Sequence, residues 1–358
     1  MRTPVVQINR SVMVNNLKQI QARVAKTGVE LRPHIKTHKS TELAKLQLEL
    51  GAKGITCAKL DEMKVMIDGG IDDIFLAYPL ADEEKISEAI DCGKTIKRLI
   101  FSVDTLAGAR LLSKVAAEKG VESEVRIEIE TGLYRTGFTK AELQEQIDEL
   151  KCLPNLLITG IYTYRASKNV SGAAVKDTFA AGVEEATLMV EIADFLREAG
   201  LDIQDVSVGS TPTVLGTLEV EGITEVRTGT YIFNDAMQVA YEVCTLEDCA
   251  AAVLVTVVSV HGDRAVIDGG SKTFATDVQP TETPVTIRGF GIVKGKPEIV
   301  FSHMNEEHGV LMLNGAAVSV GEMLEVIPNH VCSTINLHDS YRFDDGTVIE
   351  TSARGKVK

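Results

Sequence analysis

The sequence predicts an α/β fold, a (β/α)8 TIM barrel with a C-terminal β domain, on three observations. Short β-rich runs alternate with amphipathic helical stretches between residues 29 and 232, eight such runs fit into about 200 residues, and after Tyr241 the helical period fades into β-branched runs broken by Gly, Asp and Asn. Eight strands separated by helices suit a closed parallel barrel, because an open doubly wound sheet rarely needs so many. A length of 358 residues leaves room for one large domain and a smaller one. The expected division is 9–241 for the barrel, with 1–8 and 242–358 forming the β domain.

Taken in order, the barrel strands are expected at 29–31, 54–58, 73–77, 98–103, 124–130, 156–164, 206–208 and 225–228. Apolar residues at helical spacing fill 41–50, 60–68, 83–92, 105–119, 140–150 and 175–199. In the β domain, strands are expected at 251–260, 264–267, 286–289, 310–312 and 323–327, joined by an N-terminal strand at 5–8. The barrel strand ends carry Lys36, Tyr78, Asp104, Arg135, Tyr164, Ser210 and Gly229, and barrel active sites form from that rim.

Composition narrows the class of partner. A net charge of −14 argues against nucleic acid or an anionic membrane as the main partner, and no run of roughly 18 apolar residues is present. The start of the chain leads into a strand without a signal-peptide core, so a cytoplasmic protein is expected. Six scattered cysteines read as reduced thiols, five of them as small buried hydrophobes and Cys332 as the exception.

The stretch Arg-Pro-His-Ile-Lys-Thr-His-Lys at 32–39 places Lys36 where a strand pattern stops and a helix pattern begins. Gly-Ser-Thr-Pro-Thr at 209–213 and Thr-Gly-Thr-Tyr at 228–231 follow the last two strands, where a barrel usually binds phosphate. A lysine facing a phosphate cradle suggests pyridoxal 5'-phosphate, since a desolvated lysine amine can form a Schiff base. Arg135, in the glycine-bounded loop Glu-Thr-Gly-Leu-Tyr-Arg-Thr-Gly at 130–137, either meets the cofactor ring or pairs with Glu128 or Glu130. His330 and Cys332 stand two apart, so on an extended strand they share a face and can reach one metal; imidazole with thiolate selects zinc, with manganese as the alternative. His303, His308 and His338 are further candidates for that ion.

These strings, together with Gly-Ala-Lys-Gly-Ile-Thr at 51–56 and Pro-Asn-His-Val-Cys at 328–332, run through nearly the whole chain in an order that resembles the D-threonine aldolase and D-serine dehydratase family. That family is of the alanine racemase-like, fold type III class of pyridoxal phosphate enzymes. The resemblance implies that Lys36 is the Schiff-base lysine, that Arg135 contacts the ring, and that Ser210, Thr211, Gly229 and Thr230 surround the phosphate. It implies that His330 and Cys332 bind the metal, that Tyr164 stands for the family's tyrosine, and that the protein is a homodimer acting on a small D-amino acid. One departure matters: 161–168 read Ile-Tyr-Thr-Tyr-Arg-Ala-Ser-Lys, with no histidine to serve as the family's aldolase base. The expected activity is a metal-activated lyase of D-3-hydroxy amino acids, D-threonine aldolase-like. The alternatives are a D-serine or 3-hydroxy-D-aspartate dehydratase, an amino acid racemase, and a noncatalytic carrier of the cofactor. Arg165 and Lys168 are expected as solvated loop cations.

Overall fold

The structure is a computed structural model in which residues 2–278 and 284–358 are described. Met1 and residues 279–283, which fall inside the expected β domain, lie outside the described residues. The chain forms two compact units: 21–36, 43–229 and 356–358 make the barrel unit, and 1–20, 37–42 and 230–355 make the β unit. Residues 230–241 thus pack with the β unit, where Phe233 sets its ring edge-on against Tyr341 and Ala236 enters an apolar cluster with Cys249, Ala252, Ile287 and Ile327.

All eight barrel strands are present, at Glu30–Leu31, Ile55–Cys57, Asp73–Leu76, Arg98–Val103, Ser123–Glu128, Leu156–Tyr162, Asp205–Val208 and Glu225–Val226. They pair in parallel, the first beside the eighth and the rest in sequence, and a parallel bridge from His34 to Thr56 closes the ring. Crossover helices start where a side chain can take up an unpaired backbone N–H: Asp82, Thr105 and Asp177 cap theirs, and Thr139 forms a capping box with Glu142. One helix, Arg10–Thr27, precedes the first barrel strand and was not among the expected elements. The N-terminal end of the barrel interior is charged rather than apolar. Arg32, Arg126 and Arg98 meet Asp73, Glu225, Asp205 and Glu124 there.

In the β unit Val5–Ile8 pairs antiparallel with Ala251–His261 and parallel with Ser340–Phe343, as expected of a strand lent by the N-terminus. Ala251–His261 also pairs with Met323–Pro328 and Arg264–Ile267, so six antiparallel strands close on themselves and leave few edges. The strand expected at 286–289 is not formed. Pairing falls instead on Gly291–Val293, whose register runs opposite 326–328.

Candidate active site

Lys36 lies in a single turn, Ile35–Thr37, directly beyond the first barrel strand. The His34 N–H donates to the Thr228 carbonyl at 2.9 Å, which ties this turn to the end of the eighth strand. The lysine is therefore on the C-terminal rim. Its Nζ lies 5.3 Å from the centre of the Tyr164 ring, and Arg135 Cζ lies 5.3 Å from the same centre. Two cations thus share one aromatic ring, an arrangement in which the ring's electron-rich face offsets part of their repulsion.

The loop carrying Arg135 is shaped by its own first residue. The Glu130 carboxylate accepts from the N–H groups of Gly132 and Arg135. Gly132 has φ +122°, and a Cβ there would come within 2.5 Å of the Asn169 carbonyl oxygen, so glycine is required. Arg135 also reaches Glu128, Nη2 to Oε1 at 3.7 Å, so the expected pairing and the expected place on the rim both occur. Burial pushes the Glu128 carboxyl above the ordinary range, against the pull of the Tyr162 and Thr136 hydroxyls and of Arg135.

Beyond Tyr164 the expectation of solvated cations is corrected for Arg165, which is fully buried. Its guanidinium donates to the Thr131 and Ala181 carbonyls and pairs with Glu184 at 3.1 Å. Those bonds consume the charge inside the protein, so Arg165 is not a surface cation waiting for a carboxylate. Lys168 is partly buried and bridges to Ala174 through its backbone.

The two expected phosphate turns are where the sequence places them. Gly209 has φ +84°, and the Ser210 hydroxyl and Thr213 hydroxyl lie 2.9 Å apart. Beside Gly229, the Thr228 hydroxyl is buried and has no hydrogen-bond partner among the described residues. An orphaned buried hydroxyl next to a glycine turn, with a lysine on the same rim, fits a phosphorylated carbonyl cofactor. Thr211 flanks the first turn, whereas Thr230 belongs to the β unit and places its hydroxyl 3.8 Å from Cys332 Sγ.

In the β unit His330 and Cys332 come close together, but the strand argument for their proximity is corrected. The strand stops at Pro328; His330 is the extended N-cap residue and Cys332 sits in the first turn of the helix Val331–Ile335. The change from extended to helical backbone between them turns both side chains to one place. The Cys332 sulfur is within hydrogen-bonding reach of the imidazole, and Thr37, the residue after Lys36 in the chain, sets its hydroxyl 3.2 Å from Cys332 Sγ. Asp235, wholly buried, accepts from His330 Nδ1 at 3.0 Å and from the Val331 N–H at 3.0 Å. Burial opposes the charged imidazole, yet Cys332 and Asp235 outweigh it and hold His330 well above its usual value. An imidazole held by a carboxylate on Nδ1, with a cysteine sulfur close by, is a donor set that fits zinc. Among the described residues no group of three His, Cys, Asp or Glu side chains could hold an ion. His303 and His308 are exposed, and His338 Nε2 donates to the Thr273 carbonyl, so none of the three expected extra ligands joins the pair.

Sequence reasoning missed Asp235 and Arg227. Asp235 carries the mark of an N-cap, since it also caps the helix Ala236–Ala240, but nothing local points to a histidine 95 residues away. Arg227 is buried inside the barrel, donating to the Ser207 hydroxyl at 2.6 Å and to the Thr163 carbonyl. Of the six cysteines only Cys57 and Cys249 are buried, and Cys152 is exposed, which corrects the reading of five buried thiols. No helix among the described residues is long and apolar enough to cross a membrane.

Residues 8–236 match the family model described as alanine racemase, N-terminal domain, and residues 250–343 the one described as putative serine dehydratase domain. D-threo-3-hydroxyaspartate dehydratase of Delftia sp. (strain HT23) is 33% identical over 349 residues, covering 93% of this chain and 91% of its own. D-threonine aldolase of Arthrobacter sp. is 28% identical over 99% of this chain and 93% of its own, and D-serine dehydratase of Dictyostelium discoideum 28% over 95% and 93%. A solved D-threo-3-hydroxyaspartate dehydratase with a histidine-to-alanine substitution superposes with a TM-score of 0.88 at 30% identity, covering 98% of this chain and 94% of that one. Another, a cysteine-to-alanine mutant described as in the metal-free form, gives 0.86 at 29%, covering 98% and 97%. The two substituted positions stand two apart, as His330 and Cys332 do. With the barrel, the rim lysine and the His–Cys pair already in place, these matches show that the chain belongs to the alanine racemase-like family, in the branch that joins an alanine racemase N-terminal domain to a serine dehydratase domain.

Proposed function

We propose that this protein is a pyridoxal phosphate-dependent, metal-activated lyase of D-3-hydroxy amino acids. The observation that carries the reading is the rim cluster in which Lys36 and Arg135 flank the Tyr164 ring, each 5.3 Å from its centre. When bound, pyridoxal phosphate supplies a carbonyl for an amino group and a ring that stores the electrons of a carbanion, while a divalent ion polarises a hydroxyl.

The residues divide the remaining work. Lys36 Nζ holds the cofactor at rest and, once freed, takes the proton from Cα. Arg135 would contact the cofactor ring, and Tyr164, 5.3 Å from both Lys36 Nζ and Arg135 Cζ, keeps the two cations beside each other. Ser210, Thr211 and Gly229 hold the phosphate, with the Thr228 hydroxyl available to it, and Thr230 is assigned to the same anion. His330 and Cys332 hold the ion, zinc in this reading with manganese as the alternative. Asp235, bonded to Nδ1, would fix the imidazole and leave its other nitrogen for the ion. A cytoplasmic homodimer is part of the same proposal, carried over from the family resemblance.

Two reactions begin from this arrangement. Loss of the 3-hydroxyl as water after Cα deprotonation, with that water returned on hydrolysis, gives a 2-oxo acid and ammonia. Cleavage of Cα–Cβ after the hydroxyl loses its proton gives glycine and an aldehyde. Elimination is favoured by one observation: Tyr164 is followed by a buried arginine already bonded to protein groups, and no histidine stands in 161–168 to take the hydroxyl proton. The names of the relatives span both reactions.

The deciding experiment incubates purified protein with D-serine, D-threonine and D-3-hydroxyaspartate, and assays 2-oxo acid and glycine separately, with and without chelator. Chelator-sensitive 2-oxo acid supports elimination. Glycine and aldehyde without 2-oxo acid would replace it with the aldolase reading, and full activity in strong chelator would remove the metal from the account.

A further inference from the structure

Thr37 ends the turn that carries Lys36 and begins the stretch 37–42 that packs with the β unit. It is fully buried, and a buried hydroxyl has to find its hydrogen bond inside the protein. Its partner among the described residues is Cys332 Sγ, at 3.2 Å.

The residues that follow hold this hydroxyl in place. Tyr341, buried in the strand Ser340–Phe343, donates its hydroxyl to the His38 carbonyl at 2.9 Å. The Ala353 N–H donates to the Lys39 carbonyl at 2.9 Å, and Lys39 Nζ donates to the Ala353 carbonyl at 3.5 Å. Lys39 has φ +51°, a left-handed conformation that a residue other than glycine keeps only where its surroundings fix it. With its next two residues anchored, Thr37 has little backbone freedom, and its β-branched side chain is stiff at χ1.

What the bond does depends on the state of the sulfur. Against a thiol either atom can donate; against a thiolate only the hydroxyl can, and a bond to a charged acceptor is the stronger kind. A hydroxyl donated to a thiolate draws electron density toward its proton, so the sulfur passes less charge to an ion that it ligates. The Thr230 hydroxyl stands further from the same sulfur, at 3.8 Å, which leaves this role to Thr37.

We propose that Thr37 is a positioning residue of the metal site, whose hydroxyl bonds to the Cys332 thiolate and sets how much charge that sulfur gives to the ion. The inference rests on the reading of His330 and Cys332 as metal ligands given above. One turn, Ile35–Thr37, then carries both the cofactor lysine and a group that adjusts the metal.

The test uses the full-length protein, stripped by chelator and reloaded with cobalt(II) alone, because a cobalt–thiolate pair has a sulfur-to-metal charge-transfer absorption in a region where zinc is silent. T37V keeps the shape of the side chain and loses the hydroxyl. Its band should move to longer wavelength, since no proton holds the sulfur electrons, and cobalt(II) should bind about tenfold more weakly in competition with a chelator. T37S, which keeps the hydroxyl, should match the wild type in the position of the band. A role in packing alone would lower Tm or affinity and leave the band where it is, and that result overturns the proposal. Should T37V not fold, T37A against T37S reads the same loss of a donor without the volume of valine, and an identical band in the two overturns the proposal equally. No band in the wild type, or a band that persists in C332A, would remove Cys332 from the metal and end the proposed metal site together with this inference. A band that C332A abolishes and T37V leaves unmoved ends this inference alone.

Discussion

Replacing Glu225 with Gln should destabilise the barrel and leave the chemistry at its rim intact. Glu225 opens the eighth strand, at the end of the barrel opposite Lys36, and is 1% exposed. Its carboxylate accepts from Arg32 Nε at 2.7 Å, from Arg126 Nη1 at 2.5 Å and from the Ser207 hydroxyl at 2.6 Å. Burial alone would raise its pKa, but the Arg126 and Arg32 guanidiniums override burial and hold the carboxyl far below the usual range. In E225Q both arginines stay charged and buried. Each keeps one partner, Asp73 at 2.5 Å for Arg32 and Asp205 at 2.8 Å for Arg126. Breaking a buried pair costs about 3–5 kcal/mol, and the retained partners place this case at the lower end, about 3 kcal/mol. That corresponds to a fall in Tm of roughly 6–12 °C for a unit of this size.

Urea and thermal unfolding followed by circular dichroism at neutral pH measure the loss. The pH dependence supplies a second check. A carboxyl whose folded pKa is depressed contributes its full stability above its unfolded pKa, and that contribution disappears as pH falls toward the folded value. The gap between wild type and E225Q should therefore be constant near neutrality and narrow below about pH 4. A gap under about 1 kcal/mol at neutral pH, or one unchanged on acidification, would refute the reasoning that these charges are held by one another.

Other perturbations read the site itself. D235N should weaken the metal about 10–100-fold, measured by competition with a chelator, because the His330 Nδ1–H loses its carboxylate; unchanged affinity would mean that Asp235 only caps its helix. G132A should distort the Arg135 loop at a cost of about 1–3 kcal/mol and raise KM, since φ +122° and the Asn169 carbonyl both exclude a side chain. Unaltered kinetics in G132A would show that the loop does not set Arg135.

How much of this was legible in the sequence depended on the range of the interaction. The barrel strands could be read because each is a short apolar run bounded by turn residues, and three helices, Leu60–Asp68, Lys140–Leu150 and Glu83–Gly93, start and stop within a residue of their patterns. The helix Arg10–Thr27 escaped because it is polar through much of its length, with Asn15, Asn16 and three glutamines or lysines between its apolar positions. Lys36 and the glycine turns were visible because their special geometry is local. His330 and Cys332 were found for the wrong reason: their proximity comes from the break between a strand and a short helix, not from a shared strand face. Arg165 and Asp235 were beyond reach, since a buried charge is recognised by its partners, and theirs come from residues 16 to 95 positions away.

Reduction of the holoenzyme with borohydride, followed by peptide mapping, tests the central claim most directly, because it fixes a pyridoxyl group on whichever lysine holds the cofactor. The account predicts the label on Lys36 in the peptide around 32–39, and no label and no cofactor absorbance in K36A. A label on Lys39, or on any lysine outside the barrel rim, would contradict it.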